Sequence, residues 1–207
     1  MIKRQRYGVM RCGVGRCMHG FMRHAHLFHL AHSSHLAHLY FASAFSAKRL
    51  SKVPWKAIVG ALAGVDVDAV VTVGRGVDLD PLRAMLADLT PGRIRIEPYV
   101  PQAPLMERAA VVISHAGAGT MLAAGAAGVP QIAMPVGADQ FENTDAFVGA
   151  GVAVSIEDDE IDPTTIADRL KLLLEDGAFK DRSGALARAF AEMPSPESIA
   201  SRLAELV

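Results

Sequence analysis

From residue 53 onward, short runs that are apolar at every position alternate with stretches whose apolar residues return every third or fourth position. The two periods separate buried strands from amphipathic helices. Ala69 to Val73 is a β-branched run closed by Gly74, Ala110 to Ser114 is another apolar strand, and Gln131 to Met134, Arg93 to Val100 and Val152 to Ile156 are also read as strands. Between them, helices are predicted over Trp55–Ala63, Pro81–Leu89, Ala103–Ala109, Gly119–Ala127 and Phe141–Ala150. Asp80 is placed to cap the second of these, with Pro81 in its first turn. The tail is read as helical, with Asp162-Pro163 opening a helix that runs to Glu175 and Ser195-Pro196-Glu197 opening the last one. Strands apolar on both faces and separated by helices predict an α/β fold, a Rossmann-like parallel sheet with helices on both faces. In such sheets a ligand binds beyond the carboxyl ends of the strands.

The first fifty residues break this pattern. Residues 1–52 carry nine Lys and Arg and no acid, whereas residues 53–207 carry twelve Lys and Arg and all twenty-two acids. Seven of the eight histidines and both cysteines also fall in the first part. The expected organisation is therefore a basic, His-rich extension over 1–53, irregular or helical, and one domain over 54–207. His24, His26, His29, His32, His35 and His38 recur mostly every third residue, so on a helix they wind around it rather than line one side. Cys12, Cys17 and His19 could join them in a metal site only if the ligands converged, and the spacing does not require that. No metal is expected, and no cofactor.

With 207 residues, 51% of them hydrophobic and 21% charged, the chain has globular proportions. Two cysteines offer no disulfide framework, which fits a reducing cytoplasm. There is no convincing secretory signal, and no apolar run reaches the roughly 20 residues of a membrane span. Nucleic acid and membrane are not expected partners.

The candidate chemistry lies between residues 115 and 143. His115-Ala-Gly117-Ala-Gly119-Thr120 follows an apolar strand and opens a helix. Glycines let backbone approach an anion, and the first helical turn offers unbonded N–H groups and the positive end of the helix dipole. A second turn, Gly128-Val-Pro-Gln131, leads into the next strand, and beyond that strand Asp139-Gln140-Phe-Glu-Asn143 carries a polar acid–amide pair, Asp139-Gln140, on a loop. One loop suits a phosphate and the other a hydroxyl-rich group.

These segments, together with Tyr99-Val100-Pro101-Gln102 and Pro135, resemble the donor-binding signature of GT-B glycosyltransferases, in particular the bacterial enzymes that attach deoxysugars to macrolides and other natural products. The resemblance covers about residues 54 to 207 and implies the C-terminal half of a GT-B fold. It also implies roles: Tyr99 stacks on the nucleobase, the backbone at Val100 meets the base edge, and Gln102 meets the sugar of the nucleoside. His115, Gly117, Gly119 and Thr120 hold the diphosphate, and Asp139 and Gln140 hold hydroxyls of the transferred sugar. The implied partners are a nucleotide-sugar donor, a small-molecule acceptor such as a polyketide aglycone, and other protein copies or subunits, because one half of the fold would expose an apolar inter-domain face.

Two departures matter. Relatives that use UDP-sugars often carry a glutamate eight residues after the motif histidine, to accept from the ribose; here that position is Ala123. A thymidine diphosphate donor is therefore expected over a uridine diphosphate one. Relatives are also about twice as long, and their first domain supplies the general base. No such domain fits within residues 1–53, the catalytic base is unassigned, and Leu36 to Phe45 is at best a degraded substitute for the family's first donor-domain strand. Two readings follow: a sugar-transferring donor domain, or a non-catalytic nucleotide-binding remnant or accessory subunit of a partner glycosyltransferase. A sugar-nucleotide epimerase is a third, disfavoured by the Asp139-Gln140 loop.

Overall fold

The computed structural model describes residues 36–40, 54–73, 78–87 and 93–205. In chain order these form β1 (Leu36–Tyr40), α1 (Trp55–Ala63), β2 (Asp68–Thr72), α2 (Asp80–Ala87), β3 (Ile94–Glu97), α3 (Gln102–Met106), β4 (Val111–Ser114), α4 (Ala118–Ala126), β5 (Gln131–Ala133), α5 (Gln140–Gly149) and β6 (Ala153–Ser155). A 3-10 turn (Asp158–Glu160), α6 (Pro163–Glu175), α7 (Gly177–Ala191) and α8 (Pro196–Ala204) complete them. The six strands form one parallel sheet in the order β3-β2-β1-β4-β5-β6. The strand order reverses between β1 and β4, which opens a crevice at their carboxyl ends.

The alternation within the strands explains the two helical layers. On β4, Val111 and Ile113 join a core with Ile58, Leu62, Ile166 and Leu170 from α1 and α6. Val112 points the other way, into a cluster with Met106, Ala109, Ala124 and Val129 beside α3 and α4. On β5, Ile132 belongs to the first core, whereas Ala133 packs with Met121, Ala116 and Ala153. Strands buried on both faces read as unbroken apolar runs.

The structure changes the sequence reading in four places. Leu36–Tyr40 is the central strand, paired to β2 from Leu36↔Asp68 to Tyr40↔Thr72 and to β4 from Ala37↔Val111 to Tyr40↔Ser114. The sheet thus includes five residues assigned by sequence to the 1–53 extension. The rest of that extension, with Cys12, Cys17, His19 and its other histidines except His38, lies outside the described residues, as do Gly74 and Leu89. Second, β3 stops at Glu97 rather than at Val100. Pro98 has no N–H for the ladder and restricts the residue before it, so Tyr99 and Val100 leave the sheet as a loop. Third, Asp78 rather than Asp80 serves the start of α2: its Oδ1 accepts from the Asp80 N–H at 3.0 Å. Fourth, α7 is a separate helix, begun by Asp176, which accepts from Ala178 N. It packs on α4 where Gly125 leaves room, since a Cβ there would lie 3.1–3.3 Å from Phe147, Phe190 and Leu186.

The other caps are as read from sequence. Asp162 accepts from Thr164 N and Thr165 N, and Ser195 from Ser198 N. The Thr165 hydroxyl, then the Thr165 N–H, hold the Asp162 carboxyl below its ordinary range. A lowered carboxylate pKa adds stability that is present above the unfolded-state value and is lost as pH falls through the folded one. The stability difference between the wild type and Asp162→Ala should therefore be full at pH 7 and shrink toward pH 3. Thermal melts of both proteins at the two pH values check this; a constant difference would contradict it.

At the start of the sheet, Asp68 is 2% exposed and pairs with Arg93 Nε at 3.5 Å, while Arg93 Nη2 also meets Asp66 at 2.7 Å. This pair ties β3 to β2 at the end of the sheet opposite the crevice. Among the described residues, no helix is long and apolar enough to cross a membrane.

Candidate functional site

The site grows from the end of β4. Ser114 is buried, and its Oγ accepts from Ala116 N at 3.1 Å. Ala116, fully buried, has φ +60, a left-handed conformation that non-glycine residues rarely adopt. The chain bends there, and the His115 ring folds back over Gly117. A Cβ at Gly117 would lie 2.8 Å from His115 Nε2, although the backbone at Gly117 is ordinary (φ −65, ψ 135). Gly117 is thus required for space against the imidazole, not for backbone freedom. At Gly119, exposed in the first turn of α4, a Cβ would have nothing within 4 Å.

No side chain caps α4. The N–H groups of Thr120 and Met121 bond to Gly117 O, so those of Ala118 and Gly119 remain directed out of the helix. Beside the imidazole they form a cluster of donors at the positive end of the helix dipole. Thr120 is buried at 4% exposure.

The neighbouring strand, β5, leads through buried Met134 and Pro135 into the loop Val136–Asp139, with Ala138 at φ +58. Asp139 is exposed at the start of α5. Gln140 is turned inward: its Oε1 accepts from Val136 N at 2.8 Å and Gly137 N at 3.1 Å. Its amide oxygen therefore shapes the loop, leaving only the Nε2 donor for a ligand. Asn143 joins the two loops. Its Nδ2 donates to Ala116 O and to Asp139 Oδ2, both at 3.1 Å. The structure thus brings His115, Gly117, Gly119, Thr120, Asp139 and Gln140 to one end of two adjacent parallel strands.

Tyr99, Val100 and Gln102 stand at the carboxyl end of β3, on the same side of the parallel sheet. Tyr99 is 51% exposed, whereas Val100 is buried. Gln102 opens α3, and its enclosed Nε2 has no hydrogen-bond partner among the described residues. Helix α3 is packed on α4 through Met106 and Ala124, with Ala123 against the same cluster. This ties the Tyr99–Gln102 segment to the helix that carries the donor cluster, with position 123 on the face between them. Sequence reasoning singled out neither Ser114 nor Asn143 for a role. The available signals were a serine directly before the motif histidine and an amide one helical turn after Asp139.

Comparison with known proteins gives the family. The C-terminal domain of erythromycin biosynthesis protein CIII-like proteins matches residues 56–206. The elloramycin glycosyltransferase ElmGT of Streptomyces olivaceus is 32% identical over 143 residues, covering 68% of this chain and 34% of that protein. The erythronolide mycarosyltransferase of Saccharopolyspora erythraea is 30% identical over 145 residues, covering 70% and 33%. Among solved structures, the glycosyltransferase VinC in complex with DTDP superposes with a TM-score of 0.71 at 25% identity, over 84% of this chain and 42% of that one. The chain spans about a third of the length of these curated relatives. With a doubly wound parallel sheet and a match over residues 56–206, the chain belongs to the family of the erythromycin biosynthesis protein CIII-like C-terminal domain, which is found in GT-B natural-product glycosyltransferases.

Proposed function

We propose that this chain binds a TDP-deoxysugar and takes part in transferring the sugar to a hydroxyl of a small molecule such as a polyketide aglycone, in the cytoplasm. The observation that carries the proposal is the donor cluster at the start of α4, formed by the His115 imidazole over Gly117 and the outward N–H groups of Ala118 and Gly119. In the proposed reaction the acceptor oxygen attacks the anomeric carbon, the carbon–oxygen bond to the diphosphate breaks, and the configuration inverts. Negative charge then gathers on the departing diphosphate, where the cluster is already oriented to stabilise it. The acceptor proton goes to a base contributed from the acceptor side, outside the residues assigned here. Asp139 accepts from sugar hydroxyls and the Gln140 Nε2 donates to a sugar oxygen. Tyr99 offers an exposed ring to the base, and Gln102 offers its enclosed amide to the sugar of the nucleoside.

The choice of thymidine over uridine rests on Ala123. A methyl group in an apolar cluster gives a ribose 2′-hydroxyl no acceptor, and burying a hydroxyl without a partner costs about 1–3 kcal/mol. The DTDP in complex with VinC supports the same reading. Calorimetry with the purified protein should give a lower Kd for TDP than for UDP; a tenfold preference for UDP would overturn the donor assignment. Turnover of a TDP-sugar, followed by TDP release, tests the transferase activity separately.

A further inference from the structure

We infer that Asn143 is a positioning residue that sets the diphosphate cluster and the sugar-reading loop together. The Asn143 amide has two N–H hydrogens, and its Nδ2 reaches two acceptors 27 and 4 residues away, Ala116 O and Asp139 Oδ2. The two peptide groups that flank the Ala116 Cα are consequently both held, the Ala116 N–H by Ser114 Oγ and the Ala116 carbonyl by Asn143. That clamp maintains the φ +60 bend which lays the His115 ring over Gly117. The second hydrogen fixes the Asp139 carboxylate, which is exposed and has no backbone N–H of its own helix to hold it. One amide thus orients both the residue that meets the phosphates and the residue that meets the sugar. Loss of Asn143 leaves Ala116 free to relax and Asp139 free to rotate, so phosphate and sugar recognition weaken together. An aspartate at the same position would have the same shape but no donor, and would set a carboxylate against a carbonyl and a second carboxylate.

This inference rests on the donor-site reading, and its test separates the two. TDP and TDP-glucose binding are measured by calorimetry on the wild-type chain, Asn143→Ala, Asn143→Asp and Ser114→Ala. Asn143→Ala should bind TDP roughly tenfold more weakly, and TDP-glucose by a further several-fold, because both halves of the site lose their anchor. Asn143→Asp should lose at least as much. Ser114→Ala, which releases only the Ala116 side, should weaken both ligands by the same factor. A residue that merely supported the fold would lower the melting temperature and leave the ratio of TDP-glucose to TDP affinity unchanged. Failure of the wild type to bind TDP would refute the donor site itself. Wild-type affinities and an unchanged ratio in whichever Asn143 variant folds would overturn the role of Asn143 alone.

Discussion

Replacing His115 with alanine should weaken TDP binding by about ten- to a hundredfold, the range for losing one hydrogen bond to a charged group. Gly117→Ala should do nearly as much without removing any binding group. A Cβ at position 117 would stand 2.8 Å from His115 Nε2, and the next nearest atoms, at 3.5 and 3.6 Å, belong to the same ring. The backbone there already has angles that alanine adopts freely, so only the imidazole must move. The thermal midpoint should therefore stay close to that of the wild type while nucleotide affinity falls. The pairing of normal stability with lost affinity is diagnostic. If Gly117→Ala bound TDP as tightly as the wild type, the ring would not be where the diphosphate sits. A parallel fall in stability would mean that the glycine serves the fold instead.

The second large effect concerns the centre of the sheet. A chain that starts at residue 54 should not fold, whereas one that starts at residue 32 should keep a cooperative thermal transition. The family match begins at residue 56, and the charge boundary near residue 53 suggests the same place to cut. Yet β1, Leu36–Tyr40, lies between β2 and β4 and pairs with both. Its removal strands two rows of backbone N–H and C=O groups in the middle of a sheet whose β2 and β4 are buried at every position. Buried backbone groups without partners are among the costliest defects a fold can carry. Circular dichroism and thermal melts of the two truncated chains decide the matter; a cooperative transition in the chain from residue 54 would show that β1 is dispensable.

How far the sequence could be read depended on whether each signal was local. Strands β2, β4 and β5 announce themselves because both faces are buried, so Ala69–Val71, Val111–Ile113 and Gln131–Ala133 need no alternation. The caps at Asp162 and Ser195 are local too, and both hold. β1 was legible only as a degraded strand over Leu36–Phe45, because His38 interrupts a run of only five residues, set in a segment whose composition differs from the rest of the domain. Its place is fixed by pairing with residues about 30 and 75 positions later, which no window along the chain detects. The stop at Pro98 is local, but the alternation of Arg93–Glu97 runs straight into it and the apolar Val100 lies just beyond.

The same division runs through the site. The motif from His115 to Thr120 was legible as a strand, a glycine turn and a helix start because the three are contiguous. The reason for Gly117 was not, since it depends on where a side chain two residues earlier folds. Gln140 was expected to read the sugar; its oxygen instead closes the loop from Val136 to Gly137, leaving one donor for that task. The tie from Asn143 to Ala116 is a contact through space, and only the fold places its ends together.

The most direct test is a crystal structure of this chain grown with TDP. The account predicts the diphosphate at the start of α4, with its oxygens within hydrogen-bonding distance of His115 Nε2 and of the N–H groups of Ala118 and Gly119, and the thymine ring on Tyr99. A nucleotide seated elsewhere on the sheet, or a diphosphate pointing away from the imidazole, would contradict it.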